Sequence, residues 1–158
     1  MTGVSDRYLS GAYAAANPDW HAQDSPYKAR YVMRLLDRQG VRPRSILDLG
    51  TGVGEIPRLL ADRYAEARID AYDPAPEAIS AASPHPRVSY HVGELPGDQS
   101  RYDVLTLMDV IEHVLDPVTF LASAAVHADW AVLHIPLDLS LRSARQKSRI
   151  APPIQNLK

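Results

Sequence analysis

Three glycines at alternate positions, Gly50, Gly52 and Gly54, follow an apolar run and precede a helical pattern. Asp48 lies just before them and Glu55 just after them. The dinucleotide-binding fingerprint has a glycine where this chain has Glu55, so the spacing argues against a nicotinamide cofactor. Bare amides at a helix start favour phosphate, whereas carboxylates around the turn suit a cofactor with an amino group and a cationic centre, such as S-adenosylmethionine.

Alternating strand and helix patterns surround this loop. Strands are predicted at 45–49, 68–72, 87–92, 102–108 and 130–135, and helices at about 25–40, 55–64, 74–82 and 116–127. Ser25 is expected to cap the first helix, with Pro26 in its first turn. The alternation predicts an α/β fold, a Rossmann-like, doubly wound, mostly parallel sheet of about five strands, with its ligand beyond the carboxyl ends of the strands.

Four blocks between about Trp20 and Asp138 resemble, in order, the motifs of class I S-adenosylmethionine-dependent methyltransferases, particularly the branch with ubiquinone-biosynthesis O-methyltransferases. They are ILDLGTGVGE (46–55), IDAYDPAPEAI (69–79), HVGELP (91–96) and YDVLTLMDVIEHVLDP (102–117). One such block could mark any tight strand-to-helix turn, but four in order are specific. The resemblance implies methyl transfer to a hydroxyl or amine of a small molecule, with S-adenosylhomocysteine as product.

The resemblance also implies roles around the cofactor. Asp73, at the end of the second strand, would accept the two ribose hydroxyls; its alternative role is to cap the helix that begins at Pro74. Gly93, Glu94 and Leu95 match the segment that faces adenine. The residues implied to bind the cofactor are Asp48, Gly50, Thr51, Gly52, Gly54, Glu55, Asp73, Pro74, Gly93, Glu94, Leu95, Met108 and Arg30.

Residues 17–32 would, by the same resemblance, lie over the cofactor as a lid. Trp20 and His21 could line the acceptor pocket, and Lys28 or Arg30 could pair with the methionine carboxylate. An ordinary packing or surface role remains open for each of these four side chains.

Asp109, Glu112 and His113 form D-x-x-E-H, a spacing that places three side chains on one side of a helical turn. The segment resembles the metal-ligand run of small-RNA 2′-O-methyltransferases, with His134 as a fourth ligand, although similar ubiquinone-pathway enzymes have glutamate in place of Asp109. A divalent metal at Asp109, Glu112 and His113 is the less favoured alternative. The preferred hypothesis is a general base, for which His113 is the first candidate, followed by His21 and His134.

Composition limits the class of protein. The chain has 158 residues and is 46% hydrophobic, which predicts one core in residues 1–138. It has no cysteine, so no disulfides are expected. The N-terminus lacks a signal pattern, so a cytoplasmic location is expected. No run approaches the ~18 apolar residues of a membrane span. Residues 139–158 form a basic tail of charge +5, while 12 basic and 19 acidic residues before it give −7, which disfavours a nucleic-acid partner.

The segment after the fifth strand departs from the resemblance. The family normally adds a helix and an antiparallel strand pair there, whereas residues 139–158 are polar and basic, so the sheet is expected to be truncated. A fifth strand at an open edge predicts self-association into a homodimer. Two alternatives to a small-molecule enzyme stay open: an inactive or regulatory cofactor-binding fragment, and a metal-assisted RNA 2′-O-methyltransferase.

Overall fold

A computed structural model describes residues 22–136 as a series of strands that alternate with helices. After a short 3₁₀ turn at Ala22–Asp24, the elements are α1 (Ser25–Gln39), β1 (Ser45–Leu49), α2 (Glu55–Arg63), β2 (Arg68–Asp73), α3 (Pro76–Ala81), β3 (Val88–Val92), β4 (Tyr102–Met108), a 3₁₀ turn (Ile111–His113), α4 (Pro117–Ala125) and β5 (Ala128–His134). The predicted lid residues Trp20 and His21 and the tail 139–158 lie outside the described residues, so the predicted division into 1–138 and 139–158 stays a prediction.

The five strands form one parallel sheet in the order β3-β2-β1-β4-β5. The predicted α/β, Rossmann-like fold is confirmed. The chain moves outward from β1 to β3 and then returns to the other side of β1 with β4. The carboxyl ends of β1 and β4 therefore form the switch point, where open parallel sheets bind their ligands.

Helix boundaries follow local capping chemistry with two exceptions. Asp116 caps α4 as predicted, because its Oδ1 accepts a hydrogen bond from the backbone N–H of Thr119 at 3.1 Å. The prediction for Ser25 was wrong: Ser25 is the first residue of α1, and Asp24 is the N-cap without a side-chain bond. The third helix begins at Pro76 rather than Pro74.

Two apolar clusters cover the two faces of the sheet. Helices α1 and α2 pack on one face around Val32, Leu36 and Leu60, and α4 packs on the other around Phe120. Within residues 22–136, β5 pairs only with β4 and is an edge strand that exposes Trp130, Leu133 and several backbone groups. Across the same residues, no helix is long and apolar enough to cross a membrane.

Candidate functional site

The four sequence motifs meet at the carboxyl ends of the strands. The backbone N–H of Gly52 donates to Asp73 Oδ2 at 2.8 Å, which joins the turn after β1 to the end of β2. The N–H of Gly93 donates to the Asp73 carbonyl at 2.9 Å, which brings in the segment after β3. Val110, which follows β4 by two residues, packs against Gly50. Segments about 20 to 60 residues apart therefore share one edge of the sheet.

The turn of residues 50–54 needs glycine for its backbone shape and for its protein neighbours. Gly50, Gly52 and Gly54 have φ of 72°, 56° and 78°, the left-handed region that side chains with a Cβ avoid. A Cβ at Gly50 would overlap the Val110 side chain, and one at Gly54 would overlap the ring of Tyr90. The atoms that exclude a Cβ at Gly50 and Gly54 therefore belong to the protein itself.

Asp73 is a buried carboxylate held by backbone amides. Its Oδ2 accepts the Gly52 N–H, and its Oδ1 accepts the Ala75 N–H at 2.9 Å. Burial raises the pKa of Asp73, against the opposing effect of these two bonds. The bond to Ala75 closes a turn just before α3, but the N-cap of α3 is Ala75, so Asp73 does not hold the predicted capping position; its ribose role remains a prediction.

Asp48 lies beneath the glycine turn and points toward β4. Its Oδ1 accepts a hydrogen bond from the Thr106 hydroxyl, and burial raises its pKa to about 6 in spite of this bond. The Thr51 hydroxyl is also buried nearby and has no hydrogen-bond partner among the described residues. Asp48 is therefore a carboxyl that a nearby cation would help to ionise.

Glu55 opens α2 next to the turn and is paired. Its carboxylate accepts two hydrogen bonds from Arg58, at 2.6 and 3.1 Å. The negative charge that the sequence assigned to the turn is therefore partly neutralised at Glu55, whereas Asp48 and Asp73 form no ion pair with a described residue.

The other residues predicted to bind the cofactor lie in less direct positions. Met108 is buried in the cluster beneath α1 and α2, and Leu95 packs into the cluster around Phe120, on the other face. Pro74 and Glu94 are half-buried. Arg30 is exposed on α1, where its Nε donates to the carbonyl of Pro26. Their roles toward a cofactor remain predictions.

The D-x-x-E-H prediction was wrong in its geometry. Asp109 does not share a helical turn with the other two residues, because its φ is 59° and only a 3₁₀ turn of three residues follows. Glu112 and His113 are exposed on that turn. Among residues 22–136, no three His, Cys, Asp or Glu side chains lie close enough to hold a metal ion. The described chain offers no preformed support for the metal alternative.

Asp109 instead bridges two side chains from distant elements. Its Oδ2 lies 2.5 Å from Nζ of Lys28, a buried residue of α1, and its Oδ1 lies 2.5 Å from Nδ1 of His134 at the end of β5. Burial opposes ionisation of Asp109, but the bonds from Lys28 and His134 hold its pKa below the ordinary value. The backbone N–H of Asp109 also donates to the His134 carbonyl at 3.0 Å.

Sequence reasoning missed three of these relationships. Lys28 was considered only for the cofactor's carboxylate, His134 only as a ligand or base of its own, and Tyr90 not at all. An apolar helix stripe gives no sign that Lys28 is buried. For Tyr90 the sequence held no comparable clue, because Tyr90 lies on β3, which pairs with β2 and not with β1, the strand that leads into the glycines.

Comparison with known proteins gives a consistent family. A family described as "Methyltransferase domain" matches residues 20–152. A trans-aconitate 2-methyltransferase of Mycobacterium sp. strain KMS is 30% identical over 142 residues, 85% of this chain and 55% of that protein. A ubiquinone biosynthesis O-methyltransferase of Methylocella silvestris is 37% identical over 126 residues, 72% of this chain and 46% of that protein. The chain spans about half the length of these relatives.

Solved structures share the fold. The plantazolicin methyltransferase BpumL in complex with S-adenosylhomocysteine has a TM-score of 0.66 at 15% identity, over 80% of this chain and 53% of that chain. The magnesium protoporphyrin IX methyltransferase ChlM from Synechocystis with bound S-adenosylmethionine has a TM-score of 0.59 at 19% identity, over 81% of this chain and 68% of that chain.

Proposed function

This chain belongs to the methyltransferase-domain family, and on that premise we propose that it transfers a methyl group from S-adenosylmethionine to a hydroxyl or amine of a small molecule. The observation that carries the proposal is the hydrogen bond from the Gly52 N–H of the glycine turn to the Asp73 carboxylate at 2.8 Å. This bond connects two of the motif segments near the switch point of the sheet.

The acidic residues around the glycine turn fit the proposed cofactor. Each carboxylate oxygen of Asp73 accepts one backbone N–H, and each keeps a second acceptor position for a ribose hydroxyl. Asp48 and Glu55 give the turn the acidic character that a sulfonium and an amino group prefer, although Arg58 offsets part of it. When bound, the cofactor supplies an activated methyl group and its leaving group.

The protein's own part is to hold the acceptor beside that methyl group and to take its proton. Three histidines were predicted for the second task. His113 is exposed on the 3₁₀ turn after β4, His134 is half-buried and bonded to Asp109, and His21 lies outside the described residues. The acceptor's identity is not fixed by these groups; the relatives named above act on trans-aconitate and in ubiquinone biosynthesis.

Two alternatives make different predictions. An inactive or regulatory fragment would bind the cofactor and turn nothing over. A metal-assisted RNA 2′-O-methyltransferase would need Asp109, Glu112 and His113 to rearrange around an ion, and the acidic body of the chain would repel phosphate. The small-molecule enzyme is preferred because it uses the observed arrangement unchanged. A cytoplasmic location and a homodimer through β5 are part of this proposal.

The test combines binding with turnover. Titration calorimetry should detect S-adenosylhomocysteine and not NAD⁺. Methyl transfer from labelled S-adenosylmethionine is then measured on a panel of phenols and amines, with and without EDTA. Binding with EDTA-resistant turnover supports the proposal. Binding without turnover favours the inactive fragment, EDTA-sensitive methylation of RNA favours the third function, and NAD⁺ binding alone contradicts all three.

A further inference from the structure

The Asp109–His134 pair lies where an acceptor would approach. In the sheet order, Asp73 ends β2 on one side of the glycine turn, and Asp109 and His134 end β4 and β5 on the other side. Val110, the neighbour of Asp109, contacts Gly50. A cofactor that spans from Asp73 across the glycine turn would therefore present its far end toward this pair.

The hydrogen bond fixes which nitrogen of His134 is available. Nδ1 lies 2.5 Å from Asp109 Oδ1, and an ionised carboxylate only accepts, so the ring proton is on Nδ1. In the neutral imidazole Nε2 then carries the lone pair, and the hydrogen bonds described for residues 22–136 leave it without a partner. Lys28, buried on α1, holds the second oxygen of the carboxylate.

The backbone at Asp109 is strained in support of this arrangement. Its φ of 59° is the left-handed conformation, which is uncommon for residues other than glycine, although aspartate and asparagine adopt it more readily than most. Such strain persists where surrounding contacts over-determine it and is concentrated at functional sites. Here the contacts are the ion pair with Lys28, the side-chain bond to His134 and the backbone bond to the His134 carbonyl.

We propose that His134 is the general base for a hydroxyl acceptor, with Asp109 and Lys28 as its positioning residues. The proposal rests on the methyltransferase function proposed above. In the step, the acceptor oxygen forms a bond to the methyl carbon, the carbon–sulfur bond breaks with its electron pair moving to sulfur, and the hydroxyl proton moves to Nε2 of His134. Asp109 neutralises Lys28, so the cluster has no unpaired lysine cation that could bind a carboxylate acceptor. A carboxylate acceptor also has no proton for His134 to remove.

The chain contains a matched control in a second Asp–His pair. His91 on β3 contacts Asp70 Oδ1 through Nε2 at 3.0 Å, and the Tyr102 hydroxyl donates to the other oxygen. The His91 ring stacks on Tyr72 with centroids 4.6 Å apart, and both residues lie within their strands. The variants D70N and H91Q therefore change an Asp–His pair without touching the proposed base.

The first test is the tautomer of His134 in the full chain, read by long-range ¹H–¹⁵N spectra at a pH where the imidazole is neutral. The H134Q variant identifies the signals. We expect a protonated Nδ1 and a bare Nε2 in the wild-type protein, and a shift toward the opposite tautomer in D109N, because the asparagine amide can donate to Nδ1. D109N keeps the backbone shape, since asparagine tolerates a left-handed φ. A protonated Nε2 in the wild-type protein, or no change in D109N, would overturn the proposal.

The second test compares phenol with benzoate as methyl acceptors. We expect phenol to be methylated, H134Q to lower kcat by at least about 100-fold and D109N by at least about tenfold, with KM little changed. D70N and H91Q should keep the wild-type rate. Methylation of benzoate but not phenol, or a wild-type rate in H134Q, would overturn the assignment of His134 as the base. If neither phenol nor benzoate is methylated, the tautomer measurement of the first test decides the assignment. Failure to bind S-adenosylhomocysteine would instead refute the proposed function and leave the tautomer result intact.

Discussion

The two halves of the site, on either side of Gly50, are built in different ways. The glycine half, residues 50–54 with Asp73, consists of backbone amides and a carboxylate at consecutive strand ends. The histidine half, Lys28, Asp109 and His134, consists of side chains from three elements that are distant in sequence. The first half is encoded locally and leaves a motif. The second exists only after the sheet and α1 have come together.

Gly54→Ala gives the largest expected effect, because it breaks the glycine half in two ways. The new Cβ would overlap the Tyr90 ring and would occupy a φ of 78°. We expect a loss of about 2–4 kcal/mol in the free energy of unfolding, measured by urea denaturation, and loss of S-adenosylhomocysteine binding.

Gly40→Ala is the matched control for that loss. Gly40 has a φ of 69° but nothing within 4 Å of the position of a Cβ, so only the strain of about 1 kcal/mol remains. The double variant G54A/Y90A should recover part of the loss, since it removes the overlapping ring. Equal costs at Gly40 and Gly54 would show that the contact with Tyr90 is unimportant.

Asp48→Asn should stabilise the protein at neutral pH. Burial raises the pKa of Asp48 to about 6, so the folded state binds this proton more tightly than the unfolded chain. Its contribution to stability is full below about pH 4 and is lost as the pH rises through about 6. Asparagine stays neutral and can still accept from Thr106, so D48N should gain about 2 kcal/mol at pH 7.5 and nothing at pH 4.

Asp103→Asn should show the opposite sign. The pKa of Asp103 lies below its ordinary value, because the backbone N–H groups of Arg44 and Ser45 outweigh the effect of burial. Its contribution is present above the ordinary pKa of about 4 and is lost as the pH falls. Denaturation curves from about pH 2 to 8, which span both titration ranges, would contradict the assignment of both carboxyls if they were parallel for wild type, D48N and D103N.

Lys28→Met tests the histidine half through stability. It leaves the half-buried Asp109 with His134 as its remaining described partner, so we expect a loss of about 1–2 kcal/mol at pH 7 that shrinks as Asp109 is protonated in acid. Arg42→Met breaks the exposed pair with Asp37 and should cost less than about 0.5 kcal/mol. Similar small losses in both variants would show that the Lys28 pair contributes no more than a surface contact.

The smallest expected effect on folding comes from the edge strand β5. Replacing exposed Trp130 and Leu133 with lysine should leave the free energy of unfolding nearly unchanged and should convert a self-associating protein to a monomer. Light scattering over a range of concentrations measures this. A wild-type mass that is monomeric at every concentration would rule out the predicted homodimer.

The sequence predicted the elements better than the contacts between them. Strand β4 and the start of α4 follow from an apolar run and from Asp116 with Pro117, which act within a few residues. Ser25 failed as a cap because Asp24 occupies that position, a shift of one residue that propensity does not resolve.

The site shows the same division. The glycines and Asp73 were found because strand ends and turns dictate them. The D-x-x-E-H spacing suggested one helical turn, but Asp109 takes a left-handed conformation and pairs with Lys28 and His134, which are 81 and 25 positions away along the chain. Such pairing depends on the packing of α1 and on the register of β4 with β5, which local spacing does not contain.

The most direct test of the account is calorimetric titration of S-adenosylhomocysteine into wild type, D73N and D70N. Asp70 and Asp73 lie on the same strand, but only Asp73 joins the glycine turn. We predict micromolar binding, about −8 kcal/mol, for wild type and D70N, and binding at least about tenfold weaker for D73N. A folded wild type that does not bind, or a D73N that binds as tightly as wild type, would contradict the central claim that Asp73 and the glycine turn form the cofactor site.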